Sequence, residues 1–198
     1  MCALWIKVCG ITSVQDARLA EAAGADAVGV VLAPGDPRAV RLDAAAEIAA
    51  AVTVEVVAVL HRPDPAALRD VLLAVGPRRL QMEDEPPSTP QPVPWYRALS
   101  FRSRSDLSSV SGAPGDRVLV RVDSAVLPGG RIHARDRTIL QELGRAAAVV
   151  LGAPPDGLAE VCREVRPAGV DLREAVERAP GVLDPDRLRT AVRVLRGV

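Results

Sequence analysis

The stretch Gly24-Ala25-Asp26-Ala27-Val28-Gly29-Val30-Val31-Leu32 decides how this chain folds. Gly24-Ala25-Asp26 ends a helix and turns the chain, and Ala27 to Leu32 is a nearly continuous apolar run. A strand with one face in water alternates apolar and polar side chains. A run without alternation needs cover on both faces, which is the condition of a parallel strand flanked by helices. The same unit recurs outward from it. Before it stand a short apolar strand, Trp5 to Val8, and a helix capped by Thr12 or Ser13 that runs to about Ala23. After it, Asp43 reads as the cap of an Ala-rich helix to about Val52, followed by a strand from Val54 to Leu60. Asp64-Pro65 opens a third helix through about Val75, with proline in the first turn, where a missing N–H costs nothing. A short strand follows at Arg79 to Met82. Later strands are expected at about 97–101, 117–122, 147–151 and 169–172, and helices around 137–145, 156–166 and 184–196. Eight strands alternating with helices predict the α/β class and a single (β/α)8 TIM barrel over residues 1–198. At 198 residues, against about 250 for the usual barrel, it is a compact one.

One segment breaks the rhythm. Residues 86–94 carry five prolines in nine positions, which forbids a helix. The fourth helix is therefore expected to be replaced by a Pro-rich loop crossing the surface in extended form. Trp95, Tyr96 and Phe101 follow it and are read as core packing, with a contact surface as the other reading.

Composition excludes several classes of function. The 25 basic and 25 acidic side chains cancel, so the chain lacks the positive field that nucleic acid or an acidic membrane requires. Cys2, Cys9 and Cys162 have no spacing suited to a disulfide scaffold or a structural zinc site, and His61 and His133 are too few for a metal cluster. No apolar run reaches a membrane span and no cleavable leader is apparent, so a cytoplasmic protein is expected. Aromatic residues are only 2% of the chain, which leaves Ala, Val and Leu to build the core. Lys7 is the only lysine among the 25 basic residues. Arginine in place of lysine, with abundant Ala, Val and Pro, is a GC-rich coding signature, and against that background a surviving lysine stands out.

Ile6-Lys7-Val8-Cys9-Gly10-Ile11-Thr12 resembles the opening strand and loop of the phosphoribosylanthranilate isomerase family, (β/α)8 enzymes of tryptophan biosynthesis. The likeness continues through Asp16-Ala17, Ala23 to Gly29, and Pro37-Arg38-Ala39-Val40. It resumes at Leu80-Gln81, Asp123-Ser124, Gly129-Gly130, Arg166-Pro167, Gly169-Val170-Asp171, Pro180-Gly181-Val182 and Asp184-Pro185. The resemblance implies an isomerase performing an Amadori rearrangement, in which an aminoaldose opens and becomes an aminoketose by general acid–base chemistry. It implies Cys9 as the base and Asp123 as the acid, at the carboxyl ends of the first and sixth strands, where such barrels place their chemistry. Judged by residue type alone, Cys9 is a small buried hydrophobe and Asp123 a turn or capping residue. A thiolate can serve as base when a nearby cation lowers its pKa, and Lys7 shares the strand face of Cys9. Arg38 matches the arginine that faces the anthranilate carboxylate, for which a guanidinium fork is suited. Lys7, Gln81, Gly129, Gly130, Gly152, Asp171 and Arg173 are the other expected substrate contacts. The implied ligand is a small aminosugar with an aromatic carboxylate; no cofactor, metal, nucleic acid or membrane is implied, and the state is monomer or homodimer.

The departures from the family pattern gather in its phosphate loops. After the sixth strand the chain reads Gly129-Gly130-Arg131-Ile132-His133-Ala134-Arg135-Asp136, after the seventh Leu151-Gly152-Ala153, and after the eighth Arg173-Glu174-Ala175 in place of Ser-Ser-Gly. Gln81-Met82-Glu83-Asp84 adds two acids at the same rim. Leu151 brings bulk and Glu174 a charge that repels phosphate, while Arg131, Arg135 and Arg173 could supply a different anion site. Three functions are therefore weighed: the family isomerase with a remodelled phosphate site, a paralogue acting on another, non-phosphorylated aminosugar, and a catalytically silent barrel that binds a small acid or a protein.

Overall fold

Valine-rich strands that must be covered on both faces close here into a ring. The computed structural model describes residues 4–82, 91–101, 117–122, 137–138, 141–142, 148–152 and 158–197. Eight strands form a closed barrel in chain order, and every neighbouring pair is parallel. They are β1 (Trp5–Cys9), β2 (Ala27–Val31), β3 (Glu55–Leu60), β4 (Arg79–Met82), β5 (Trp95–Phe101), β6 (Arg117–Val122), β7 (Ala148–Gly152) and β8 (Gly169–Leu172). Helices α1 (Val14–Ala22), α2 (Leu42–Ala51) and α3 (Pro65–Ala74) follow the first three strands, and Leu158–Val165 and Pro185–Arg196 are helical further on.

Local chemistry explains most of these boundaries. Ser13 caps α1, accepting from the Asp16 N–H while its hydroxyl donates to the Asp16 carboxylate. Asp64 and Asp184 each accept from two backbone N–H groups in front of a proline that opens the helix. The expected cap at Asp43 is a correction: α2 starts at Leu42 with Arg41 in the capping position and no side-chain cap bond. Asp43 instead lies in the first turn, accepting from the Ala44 N–H and pairing with Arg41. A carboxylate there still complements the positive end of the helix, so the chemistry that suggested a cap is present two positions past the residue that occupies it. β5 begins at Trp95, earlier than expected. Of the Pro-rich stretch, residues 91–94 are non-helical; residues 86–90, and with them the loop expected to replace the fourth helix, lie outside the described residues. A 3-10 turn at Glu174–Val176 and a small antiparallel pair, β9 (Glu177–Ala179) with β10 (Val182–Leu183), follow β8 and were not expected.

Side chains alternate across the barrel wall. Ile6 and Val8 of β1 pack outward with Ala17, Ala20, Leu188 and Val192 of the covering helices. Trp5 faces inward against Ala27, Val57, Tyr96, Ala98 and Leu119. Cys9 faces inward too, at the carboxyl end, beside Val31 and Val59. Between these two apolar layers, on the same face of β1, lies Lys7.

The join between the last and first strands depends on a glycine. A Cβ on Gly169 would fall 2.6 Å from the Trp5 carbonyl oxygen and 2.8 Å from its ring carbon Cε3. Backbone cannot yield there without disturbing the β1–β8 register. Gly169→Ala is therefore expected to lower stability by about 1–3 kcal/mol, read as a fall of several degrees in Tm. An unchanged melting curve would show slack in that seam.

Candidate active site

The inward faces of four strands converge below the carboxyl-terminal mouth. Lys7 is fully buried. Its Nζ pairs with Asp171 Oδ1 of β8 at 3.1 Å and donates to Gln81 Oε1 of β4 at 2.6 Å. The Tyr96 hydroxyl of β5 donates to the same oxygen at 3.0 Å. Cys9 stands two residues beyond Lys7, and the absence of a side chain at Gly29 lets both fit. A Cβ on Gly29 would lie 2.7 Å from Lys7 Cε and 2.9 Å from Cys9 Sγ. Burial works to lower the pKa of the ammonium, but the charge of the Asp171 carboxylate and its hydrogen bond outweigh it and hold the Lys7 pKa above its ordinary value. Burial pushes the Tyr96 hydroxyl upward as well. Both remain protonated at neutral pH, so the Lys7 ammonium, paired with the Asp171 carboxylate, stays beneath Cys9.

A second charged group lies over the end of β1. Arg38, in the loop after β2, gives Nε to Glu177 Oε1 at 2.7 Å and Nη2 to Glu177 Oε2 at 2.6 Å, both partners buried. Its Cδ lies 2.7 Å from where a Gly10 side chain would begin, and Gly10 has a φ of 82°, so this loop position suits only glycine. Hydrogen bonds from Arg38 to Glu177 raise the guanidinium pKa against the cost of burial. Arg173 pairs with Asp36, and Glu174 lies 3.4 Å from Arg38 and 3.7 Å from Arg173. Burial opposes the Asp36 charge, but the Arg38 N–H and the Arg173 guanidinium hold its carboxyl below the usual range.

Lys7, Cys9, Gln81 and Asp171, singled out in the sequence, are thus brought together. Arg38 and Arg173 are brought to the rim above them, each engaged by a carboxylate of the chain itself. Gly152 closes β7 and stands in register with Asp171. Asp123, Gly129 and Gly130 lie outside the described residues. Sequence reasoning did not single out Tyr96, Asp36 or Glu177. Tyr96 had a signal, as the only tyrosine of the chain at an inward position of an apolar strand. Cys162 is buried in an outer helix, and burial pushes its thiol up to about 12, which leaves it inert.

The model for the N-(5'phosphoribosyl)anthranilate (PRA) isomerase family matches residues 6–194. The chain belongs to this isomerase family. It is 34% identical over 200 residues to N-(5'-phosphoribosyl)anthranilate isomerase of Stutzerimonas stutzeri, with 97% of each chain covered. The phosphoribosyl anthranilate isomerase of Thermotoga maritima shares the fold with a TM-score of 0.87 at 24% identity, covering 98% of this chain and all of that one. A phosphoribosyl anthranilate isomerase in complex with reduced 1-(o-carboxyphenylamino)-1-deoxyribulose 5-phosphate aligns with a TM-score of 0.82 at 25% identity, covering 98% and 100%.

The chain's lone lysine gives a direct measurement. Lys7 is the only lysine, so labelled lysine yields a single side-chain signal in NMR. With a folded pKa above the ordinary 10.5, its stabilising pair is complete below that pH and is lost only as pH rises through the higher folded value. The signal is expected to show no titration step near 10.5 while the protein stays folded; a step there would remove the buried pair. Lys7→Met, which strands Asp171, is expected to cost about 3–5 kcal/mol in urea unfolding.

Proposed function

We propose that the chain isomerises phosphoribosylanthranilate by an Amadori rearrangement, with Cys9 as base and Asp123 as acid, in a cytoplasmic protein acting as one barrel domain. The observation that carries the roles is the placement of Cys9 at the carboxyl end of β1 over the buried Lys7 ammonium, in a chain matched to the family along its length. Asp123 protonates the ring oxygen as the C1–O bond breaks and the nitrogen lone pair forms an iminium. The Cys9 thiolate then removes the proton from C2, and those electrons form the C1–C2 double bond of an enolamine. The enol hydroxyl loses its proton, C1 gains one, and the product is the aminoketose. The cation beneath Cys9 favours its thiolate form, and a single side chain placed for proton transfer contributes roughly 10²–10⁴ in rate.

Arg38 would receive the anthranilate carboxylate on Nη1, the nitrogen that Glu177 does not take. The altered rim is less hostile to phosphate than its sequence suggests. Glu174 is 72% exposed and stands against Arg38 and Arg173, so its charge is screened by water and offset by two guanidinium groups. The family match along the chain favours this reading over the paralogue and the silent barrel.

Cys9→Ala and Asp123→Asn are each expected to lower turnover of phosphoribosylanthranilate by roughly 10²–10⁴ while leaving the melting curve near that of the wild type. Loss of substrate is followed by its fluorescence. A folded wild type without turnover would sink the proposal, and an active Cys9→Ala would remove the base.

A further inference from the structure

The side-chain amide of Gln81 has two orientations, and its neighbours permit one. The Lys7 ammonium only donates, so the Gln81 atom 2.6 Å from it is the acceptor oxygen Oε1. The Tyr96 hydroxyl, 3.0 Å from the same oxygen, must donate its proton there too. With both donors on Oε1, the Nε2 group carries its two N–H bonds away from Lys7 and Tyr96. Gln81 is fully buried, and Nε2 meets no hydrogen-bond partner among the described residues. A buried donor left open is unfavourable until an acceptor fills it. The amide also belongs to the neighbourhood of Cys9: a Cβ on Gly29 would touch both Cys9 Sγ, at 2.9 Å, and Cε of Lys7, at 2.7 Å, the lysine whose Nζ bonds the amide.

We propose that Tyr96 is a positioning residue for the isomerisation: with Lys7 it locks the Gln81 amide so that Nε2 donates to the substrate oxygen on C2, the carbon deprotonated by Cys9. This rests on the isomerase reading above. That oxygen starts as a hydroxyl and ends as a ketone carbonyl, so its demand for a donor grows along the reaction. A donor whose bond strengthens in that direction accelerates the step, whereas one that binds both ends equally does not. An amide free to rotate would present Oε1 for part of the time, an acceptor facing a developing acceptor. The Tyr96 hydroxyl and the Lys7 ammonium together remove that state.

A double-mutant cycle tests the lock. Turnover of phosphoribosylanthranilate is measured for the wild type, Tyr96→Phe, Gln81→Met and the double variant, with kcat and KM separated. Tyr96→Phe is expected to lower kcat about tenfold with KM nearly unchanged, the loss of one hydrogen bond's worth of orientation. Gln81→Met is expected to lower kcat further, and adding Tyr96→Phe to it should cost nothing more, because the hydroxyl acts only through the amide. Equal losses in both backgrounds, or a wild-type kcat in Tyr96→Phe, overturn the proposal. A second readout needs no turnover. The glutamines are Gln15, Gln81, Gln91 and Gln141 and there is no asparagine, so the NMR signals of side-chain amides are few and the pair missing in Gln81→Met is that of Gln81. It is expected to shift in Tyr96→Phe, and a pair that stays in place overturns the lock. An inactive but folded wild type removes the isomerase reading, and with it the C2 contact, whatever the amide signals show.

Discussion

An ammonium buried inside a barrel is tolerable only where its charge and its hydrogens are met by the surrounding strands, and this requirement organises the molecule around Lys7. Its counter-charge, Asp171, is its register partner across the β1–β8 seam, the place where the last strand must find the first. A slip of one residue would turn one member of the pair toward the helices and leave the other unpaired in the interior. Gln81 supplies the second contact from β4, on another side of the ring. The charge pair that pins closure is also the one that sets a cation below Cys9, so barrel register and site chemistry are a single constraint. Gly29 and Gly169 serve it from opposite neighbours of β1, each leaving room that a methyl group would fill.

A separate pair holds the loops above. Glu177 joins Arg38 through both carboxylate oxygens, accepts from the Gly181 N–H, and through its carbonyl accepts from Arg187. Thr12, just past β1, donates to the Gly181 carbonyl. The connections after β1, β2 and β8 are thereby tied to one another over the barrel end, and Arg38 is held in one orientation before any ligand arrives. Such preorganisation lowers the cost of positioning a guanidinium at the moment of binding.

The barrel was legible because its strands are covered on both faces and therefore apolar without interruption, as in Ala27-Val28-Gly29-Val30-Val31. Helix starts at Ser13 and Asp64 were legible because capping is local chemistry. Asp43 misled for the same reason, since an acid serves the first turn as well as the cap. Cys9, Lys7 and Gln81 could be singled out through a resemblance, but their contacts join β1 to β4 and β8 across long stretches of sequence, and no local pattern encodes such a meeting. Tyr96 was taken for packing, which is half correct: its ring lies in the lower inner cluster while its hydroxyl reaches the polar layer. Arg173 and Glu174 looked like free charges facing a phosphate because a sequence shows no partners. The fold gives them Asp36 and Arg38.

That last point bears on how a remodelled loop can keep an anionic substrate. Asp36, Arg38, Arg173, Glu174 and Glu177 contribute two positive and three negative charges at one corner of the mouth. Taken singly, the acids would repel a phosphate and the arginines would attract it. Paired as they are, most of the attraction and repulsion cancels within the cluster, and the one negative charge left over is screened by solvent and salt. The replacement of Ser-Ser-Gly by Arg173-Glu174-Ala175 therefore added its charges in a mutually compensating form, with Arg173 drawn toward the β2 loop by Asp36. A change in Asp36 alone would break that balance and release a guanidinium at the rim, so residues 36 and 173 are coupled in any account of which substrates this mouth admits.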